Sequence, residues 1–305
     1  MPENSEFEDN IVMACIFMIA VFGLISNGLS LYLTRTKSRF RNAFGILCSS
    51  FLICNLQAIF VLLTWCTIVL SFKSPILSSP KLFSVRLVGV FLNGGWFGAL
   101  VMHFLIALNR FYAFVCAIKY NQLWSHSKTF KIIIISWSFS MVYCTHHLYK
   151  NCSYLFNYGS MYRWLHHTSF HGQICARIDA IVSIVLVVAM TFIDFITLVK
   201  ILAYRRTMLT VSTGSAINEG EVLFFKQSCK LGLIYILCCI TFNVPSYFTT
   251  DKWILFISST IALLGTHSLD GLIFLVFHRK LISKTNFGGT SIAPNVNLNV
   301  FQTEQ

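Results

Sequence analysis

Charge is what this 305-residue sequence has least of: 11% of its residues are charged, under half the share usual in soluble domains, while 56% are apolar. A water-facing surface cannot be built from that. No strand-like alternation of apolar and polar residues runs through the chain, which excludes a membrane β-barrel. No internal repeat is visible, which weakens an inverted-repeat transporter. Residues 1–10 hold four acids and no base, so the first apolar block lacks the positive leader of a secretory signal peptide and reads as an uncleaved span. Lys and Arg outnumber Asp and Glu by 23 to 11. These bases lie between apolar blocks rather than along one face, so they point to membrane topology and not to nucleic acid.

What is abundant is long apolar runs, each long enough to cross about 30 Å of hydrocarbon. Seven are present: Ile11 to Leu33, Ala43 to Leu70, Leu87 to Asn109, Ile132 to Tyr149, Ile178 to Val199, Leu231 to Thr250 and Trp253 to Phe277. Each must be a helix, because only a helix satisfies its own backbone polar groups within a single segment in lipid. The expected fold is an all-α seven-transmembrane bundle with residues 1–10 outside, a seven-helix domain over 11–277 and a disordered cytoplasmic tail over 278–305. With the N-terminus outside, 16 of the 23 basic residues fall in inner connections and 7 in outer ones, as positive-inside retention requires.

Of eleven cysteines, nine fall in spans or on the reducing side. Cys152 and Cys175 share an outer loop and are the expected disulfide. Asn151-Cys152-Ser153 also matches a glycosylation sequon. The outer pairs His146-His147 and His166-His167, with His171, read as solvated loop histidines rather than metal ligands. Thr210 to Gly220, in the longest inner connection, reads as flexible.

Ionisable groups inside a span cost at least about 2.5 kcal/mol on insertion scales, so each needs a partner or a task. Asp270 in the seventh span, with Asn27 in the first and Asn55 in the second, is expected to form one polar cluster. It acts either as a packing clamp or as a switch between two helix packings. Asp194 in the fifth span lies near enough to the boundary to reach water or Lys200. His103, His267 and Asp270 suggest a second possibility, a membrane zinc hydrolase with three ligands and one open position. Apart from that alternative, no residue pattern calls for catalysis, a metal or a cofactor.

Several short motifs carry a family resemblance. Gly23-Leu24-Ile25-Ser26-Asn27 resembles the first-helix motif of rhodopsin-like receptors, and Asn109-Arg110-Phe111 stands where that superfamily has an acid-Arg-aromatic motif. Pro245 falls inside the sixth apolar run at the superfamily's kink, with Asn243 in place of an aromatic toggle. Asp270-Gly271-Leu272-Ile273-Phe274 replaces the seventh-helix Asn-Pro motif. The stretches ALNRFYAFVCAIKY at 107–120, EVLFFKQSCK at 221–230 and HSLDGLIFLVF at 267–277 resemble the nematode serpentine chemoreceptors, class x. No Cys occurs between Thr67 and Val115, so the superfamily's bridge from the third helix is absent. Asn109 beside Arg110 also leaves the usual ionic lock without its acid.

The resemblance implies a small-molecule ligand, a heterotrimeric G protein partner, and a plasma-membrane location in a sensory neuron or cilium. Coupling is expected from Asn109, Arg110, Lys226 and Lys230, and switching from Asn27, Asn55, Pro245 and Asp270. Counting up the third helix from Arg110 places Trp96 about 21 Å higher on nearly the same face. Asn93, Trp96, Tyr247 and Thr260 are therefore expected to line one cavity under the outer loop. No acid or base stands among these four, which favours a neutral, largely apolar ligand, with Asp179 at the mouth of the fifth helix counting against it. A transporter or channel is the rival from another class.

Overall fold

The computed structural model describes residues 2–159, 161–210, 219–245 and 248–286. Seven long helical segments make up the bundle: α1 (Pro2–Thr36), α2 (Ala43–Phe72), α3 (Phe83–Val115), α5 (His126–Cys144), α6 (Phe170–Thr210), α7 (Glu219–Asn243) and a composite last span. That last span joins α8 (Lys252–Phe256) to α9 (Ala262–Asn286) through one π-helical turn, Ile257–Ile261. A short helix α4 (Ala117–Leu123) follows α3 on the inner side. Five of the seven are long and apolar enough to cross a membrane unaided, and the apolar part of α7 is shorter, Lys230–Asn243.

Local chemistry sets several boundaries. The Asn42 side chain accepts a hydrogen bond from the Gly45 N–H and caps α2, which closes on Lys73 in the left-handed region. Asp251 accepts from the N–H groups of Trp253 and Ile254 and so starts α8. At the end of α7 the expected span to Thr250 is corrected: the helix stops at Asn243, and Pro245 lies beyond it rather than mid-span. Proline has no N–H to donate and disfavours helical geometry in the residue before it, so the run ends there despite its apolar composition. The helix of the last span continues nine residues past Phe277 to Asn286, and residues 287–305 of the expected tail lie outside the described residues. Most of the flexible stretch expected at Thr210 to Gly220 lies outside them too.

In lipid no hydrophobic force pulls apolar helices together, so close packing and interhelical hydrogen bonds must do so. α3 is the central column, with 72% of its most apolar stretch buried, against 28% for α6, whose Ile181, Ile184, Val188, Phe192 and Phe195 face outward. α1 meets α9 at a seam of small residues. A Cβ on Gly271 would collide with the Asn27 backbone, and one on Gly23 with the Ser268 side chain. Glycine at both places lets the first-helix and last-helix motifs touch.

The second outer connection carries an unexpected element, an antiparallel hairpin of β1 (Tyr154–Asn157) and β2 (Arg163–His166), with Tyr154 opposite His166 and Phe156 opposite Trp164. Phe156 and Trp164 are fully buried, so the hairpin folds down into the mouth of the bundle. Gly89 on α3 permits this, since a Cβ there would strike the Tyr154 carbonyl oxygen. The Tyr162 hydroxyl donates to Asp9 over 2.7 Å, and the Thr260 hydroxyl donates to the Tyr162 carbonyl over 2.8 Å. A bond between Cys152 and Cys175, with Cα atoms 5.7 Å apart, ties the foot of the hairpin to α6.

Candidate functional site

Beneath the hairpin lies a cavity of about 100 Å³, lined by Asn93 and Trp96 of α3, Asp179 and Ser183 of α6, Asn243 of α7, and apolar neighbours including Phe97 and Leu263. Trp96 donates its indole N–H to the Ser183 hydroxyl over 3.1 Å. Two of the four expected lining residues, Asn93 and Trp96, meet here. Thr260 does not line the cavity: it is buried, and its hydroxyl is spent on the hairpin at Tyr162. Tyr247 lies outside the described residues. Asp179, the acid noted at the mouth of the fifth helix, forms part of the wall.

Asp179 is surrounded by donors and rings. Tyr143 donates to its Oδ1 over 2.8 Å and Asn93 to its Oδ2 over 3.0 Å, while His146, His147 and His166 each bring Nε2 to within 3.3–3.6 Å of the carboxylate. The reading of these histidines as solvated fails for His147, which is fully buried, and for His166, which is largely so. The hairpin and the short turn after α5 fold them inward. Burial and the neighbouring His147 push the His166 pKa down to about 4. Burial also opposes protonation of His146, but Asp179 and the Tyr143 carbonyl outweigh it, leaving the His146 pKa above its ordinary value.

Trp96 also forms the floor of the cavity. Its ring packs 5.5 Å from Tyr235 on α7 and edge-on 5.9 Å from His267 on α9. Tyr235 donates to Asp270 Oδ2 over 3.0 Å, and Asn55 Nδ2 donates to the same oxygen over 3.0 Å. Asn55 accepts from His267 Nδ1 over 2.8 Å, and Asn27 donates to the His267 carbonyl over 2.9 Å. Asn27, Asn55 and Asp270 thus share one fully buried network, with Tyr235 and His267 as members that sequence inspection did not assign to it. His103, by contrast, stacks between Phe51 and Tyr235. Among the described residues, His146, His147 and Asp179 are the one group whose ligand atoms lie within 4.8 Å of one another, so His103, His267 and Asp270 do not form a zinc centre.

At the inner end Arg110 is buried and donates to Asp194 Oδ1 over 2.9 Å, joining α3 to α6. Asp194 thus finds a partner across the bundle, on α3. Asn109 donates to the Tyr120 hydroxyl over 3.3 Å, which holds the short helix α4 against α3. Lys230 is exposed, with its ammonium 5.0 Å from the Phe277 ring centre. Lys226 lies within α7, and nothing further of it is described.

The sequence of residues 17–278 matches the family described as serpentine type 7TM GPCR chemoreceptor Srx. The chain belongs to the Srx family. No curated protein matches it. Membership makes this Srx chain a multi-pass membrane receptor of the G protein-coupled class, not an enzyme, and removes the hydrolase alternative. In Srx terms the three assemblies just described run in order from outside to inside: a cavity, a buried polar network and an arginine pair.

Proposed function

We propose that this receptor binds a small, mostly neutral molecule in the Trp96 cavity and transmits its arrival to a heterotrimeric G protein at the plasma membrane of a sensory cell. The observation that carries this reading is the position of Trp96. One edge of the indole faces the cavity through Ser183, and the other packs on Tyr235 and His267, the two residues bonded to Asp270 and Asn55. A ligand pressing on Trp96 therefore acts on the Asp270 network without any further intermediary.

α3 and α6 are joined at both ends, by Asn93 to Asp179 and Trp96 to Ser183 outside and by Arg110 to Asp194 inside. The eleven residues from Ser183 to Asp194 make close to three helical turns, and the fourteen from Trp96 to Arg110 close to four, so each helix presents both contacts on one face. Moving the outer contact shifts the balance between two arrangements of the inner one, which is what a ligand with differential affinity needs. In this reading Arg110 and Asn109, with Lys226 and Lys230, form the coupling surface, and Asp270 with Asn27 and Asn55 forms the switch. Pro245, which lies past the end of α7, serves as the end of that helix rather than as a kink. The cavity is well below the size of a drug pocket. Its ligand accordingly has a compact apolar body and one hydrogen-bonding end directed to Ser183 or Asn93, with Asp179 already engaged by Tyr143, Asn93 and the histidines.

With an agonist identified from a panel of small neutral compounds, Trp96→Ala is expected to raise the half-maximal concentration at least tenfold at matched surface expression, about 1.4 kcal/mol of lost interaction. Ser183→Ala should shift it in the same direction by less. Unchanged potency in Trp96→Ala removes the ligand from this cavity.

A further inference from the structure

The cluster at the outer mouth of the cavity has a geometry that ligand binding alone does not call for. His146 places Nδ1 2.7 Å from the Tyr143 carbonyl oxygen, and His147 places Nδ1 3.0 Å from the Cys152 carbonyl oxygen. A carbonyl only accepts, so in both rings the Nδ1 carries the proton. A neutral ring then turns its Nε2 lone pair toward Asp179: His146 toward Oδ1 at 3.4 Å, His147 toward Oδ2 at 3.3 Å. Among the described residues His146 Nε2 is buried and makes no hydrogen bond. Lone pairs aimed at a carboxylate repel it, and a cation shared between them reverses that repulsion.

Two cations are possible, a proton on a ring or a metal ion between the ligands. The spacing separates them. Charge-assisted N–H to carboxylate bonds are about 2.7–2.9 Å long, shorter than any of these separations. Donor atoms bound about 2.0–2.2 Å from a tetrahedral zinc lie about 3.3–3.6 Å from each other. The His147 Nε2–Oδ2 and His146 Nε2–Oδ1 separations, 3.3 and 3.4 Å, fall in that range, and one ligand atom from each of His146, His147 and Asp179 lies within 4.8 Å of the others. The backbone carbonyls on both Nδ1 atoms are the outer partners that metal-binding histidines usually have.

We propose that His146, His147 and Asp179 bind a zinc ion at the outer mouth of the cavity, with His166 beside its fourth position. His146, whose side chain is 29% exposed, gives the ion a route from outside. The Asn93 amide donates to both His147 Nε2, at 2.6 Å, and Asp179 Oδ2, and it gives up these contacts when zinc arrives. The hairpin supplies His166, α6 supplies Asp179 and the short turn after α5 supplies the pair, so the ion joins three parts of the outer face. The site is independent of the ligand's identity and of the G protein.

The test uses the whole receptor in lipid nanodiscs, purified through a tag free of histidine, with zinc chloride as the probe. Wild type should retain one zinc per receptor at micromolar free zinc, and zinc should raise its unfolding temperature. His146→Ala and His147→Ala should each weaken zinc binding at least tenfold, and His146→Cys, which restores a ligand atom, should recover it. Because His146 is partly exposed, its alanine variant is the one least prone to misfold, and the temperature shift by zinc should vanish in it. The proposal fails if folded wild type takes up no zinc and responds only to pH, which makes the cluster a protonated histidine–aspartate pair. It fails equally if zinc binds both alanine variants as tightly as wild type.

Discussion

Asp194→Asn is expected to raise ligand-independent nucleotide exchange at least tenfold at matched surface expression. The reason lies in the burial of its partner. Arg110 and Asp194 have side chains 6% and 7% exposed and meet at 2.9 Å. A buried pair of this kind adds little net stability over apolar residues, but breaking it by removing one member costs about 3–5 kcal/mol. The resting packing of α3 against α6 bears that cost, whereas a packing that turns Arg110 toward the cytoplasm escapes it. The equilibrium therefore moves toward the open arrangement, and a tenfold change needs only about 1.4 kcal/mol of the difference. Asp194→Glu keeps the charge and should stay near the wild-type basal rate. Equal basal rates in wild type and Asp194→Asn mean that the pair is a packing feature and not a lock.

The second large effect concerns Asp270. Its Oδ2 accepts from both Asn55 and Tyr235, and its Oδ1 makes no hydrogen bond among the described residues. Asp270→Asn keeps the size of the side chain while replacing one carboxylate oxygen by a donor, so the network must choose a new arrangement. The variant should reach the surface, bind agonist, and lose at least tenfold of its maximal G protein response. Tyr235→Phe, which removes one donor and spares the ring against Trp96, should lose less. A normal response in Asp270→Asn returns the cluster to the packing clamp that was its first alternative.

The number of helices was legible because a span must be long and apolar, and the orientation because basic residues stay inside. The polar cluster was legible too, since Asn27, Asn55 and Asp270 are costly in lipid and few partners exist for them. Other features depend on contacts between distant parts of the chain. Pro245 sits in an apolar run that hydropathy extends through it, but the missing N–H ends the helix. Tyr154 to Asn157 and Arg163 to His166 alternate too briefly to mark strands, and Gly89, which admits the hairpin, marks its place only once α3 is built. His146, His147 and His166 read as solvated in a loop because nothing local says that the loop folds inward. Arg110 and Asp194 are 84 residues apart, and the acid expected next to Arg110 in sequence is supplied from another helix.

The most direct test of the account is nucleotide exchange on a purified heterotrimeric G protein, driven by the receptor in lipid nanodiscs and challenged with a panel of small neutral compounds. In parallel, compound-evoked current is recorded from the same receptor in planar bilayers. The account predicts that at least one compound accelerates exchange through wild type, that Arg110→Ala abolishes the acceleration while still binding the compound, and that no current accompanies it. Compound-evoked current without nucleotide exchange would contradict the account and make the bundle a channel.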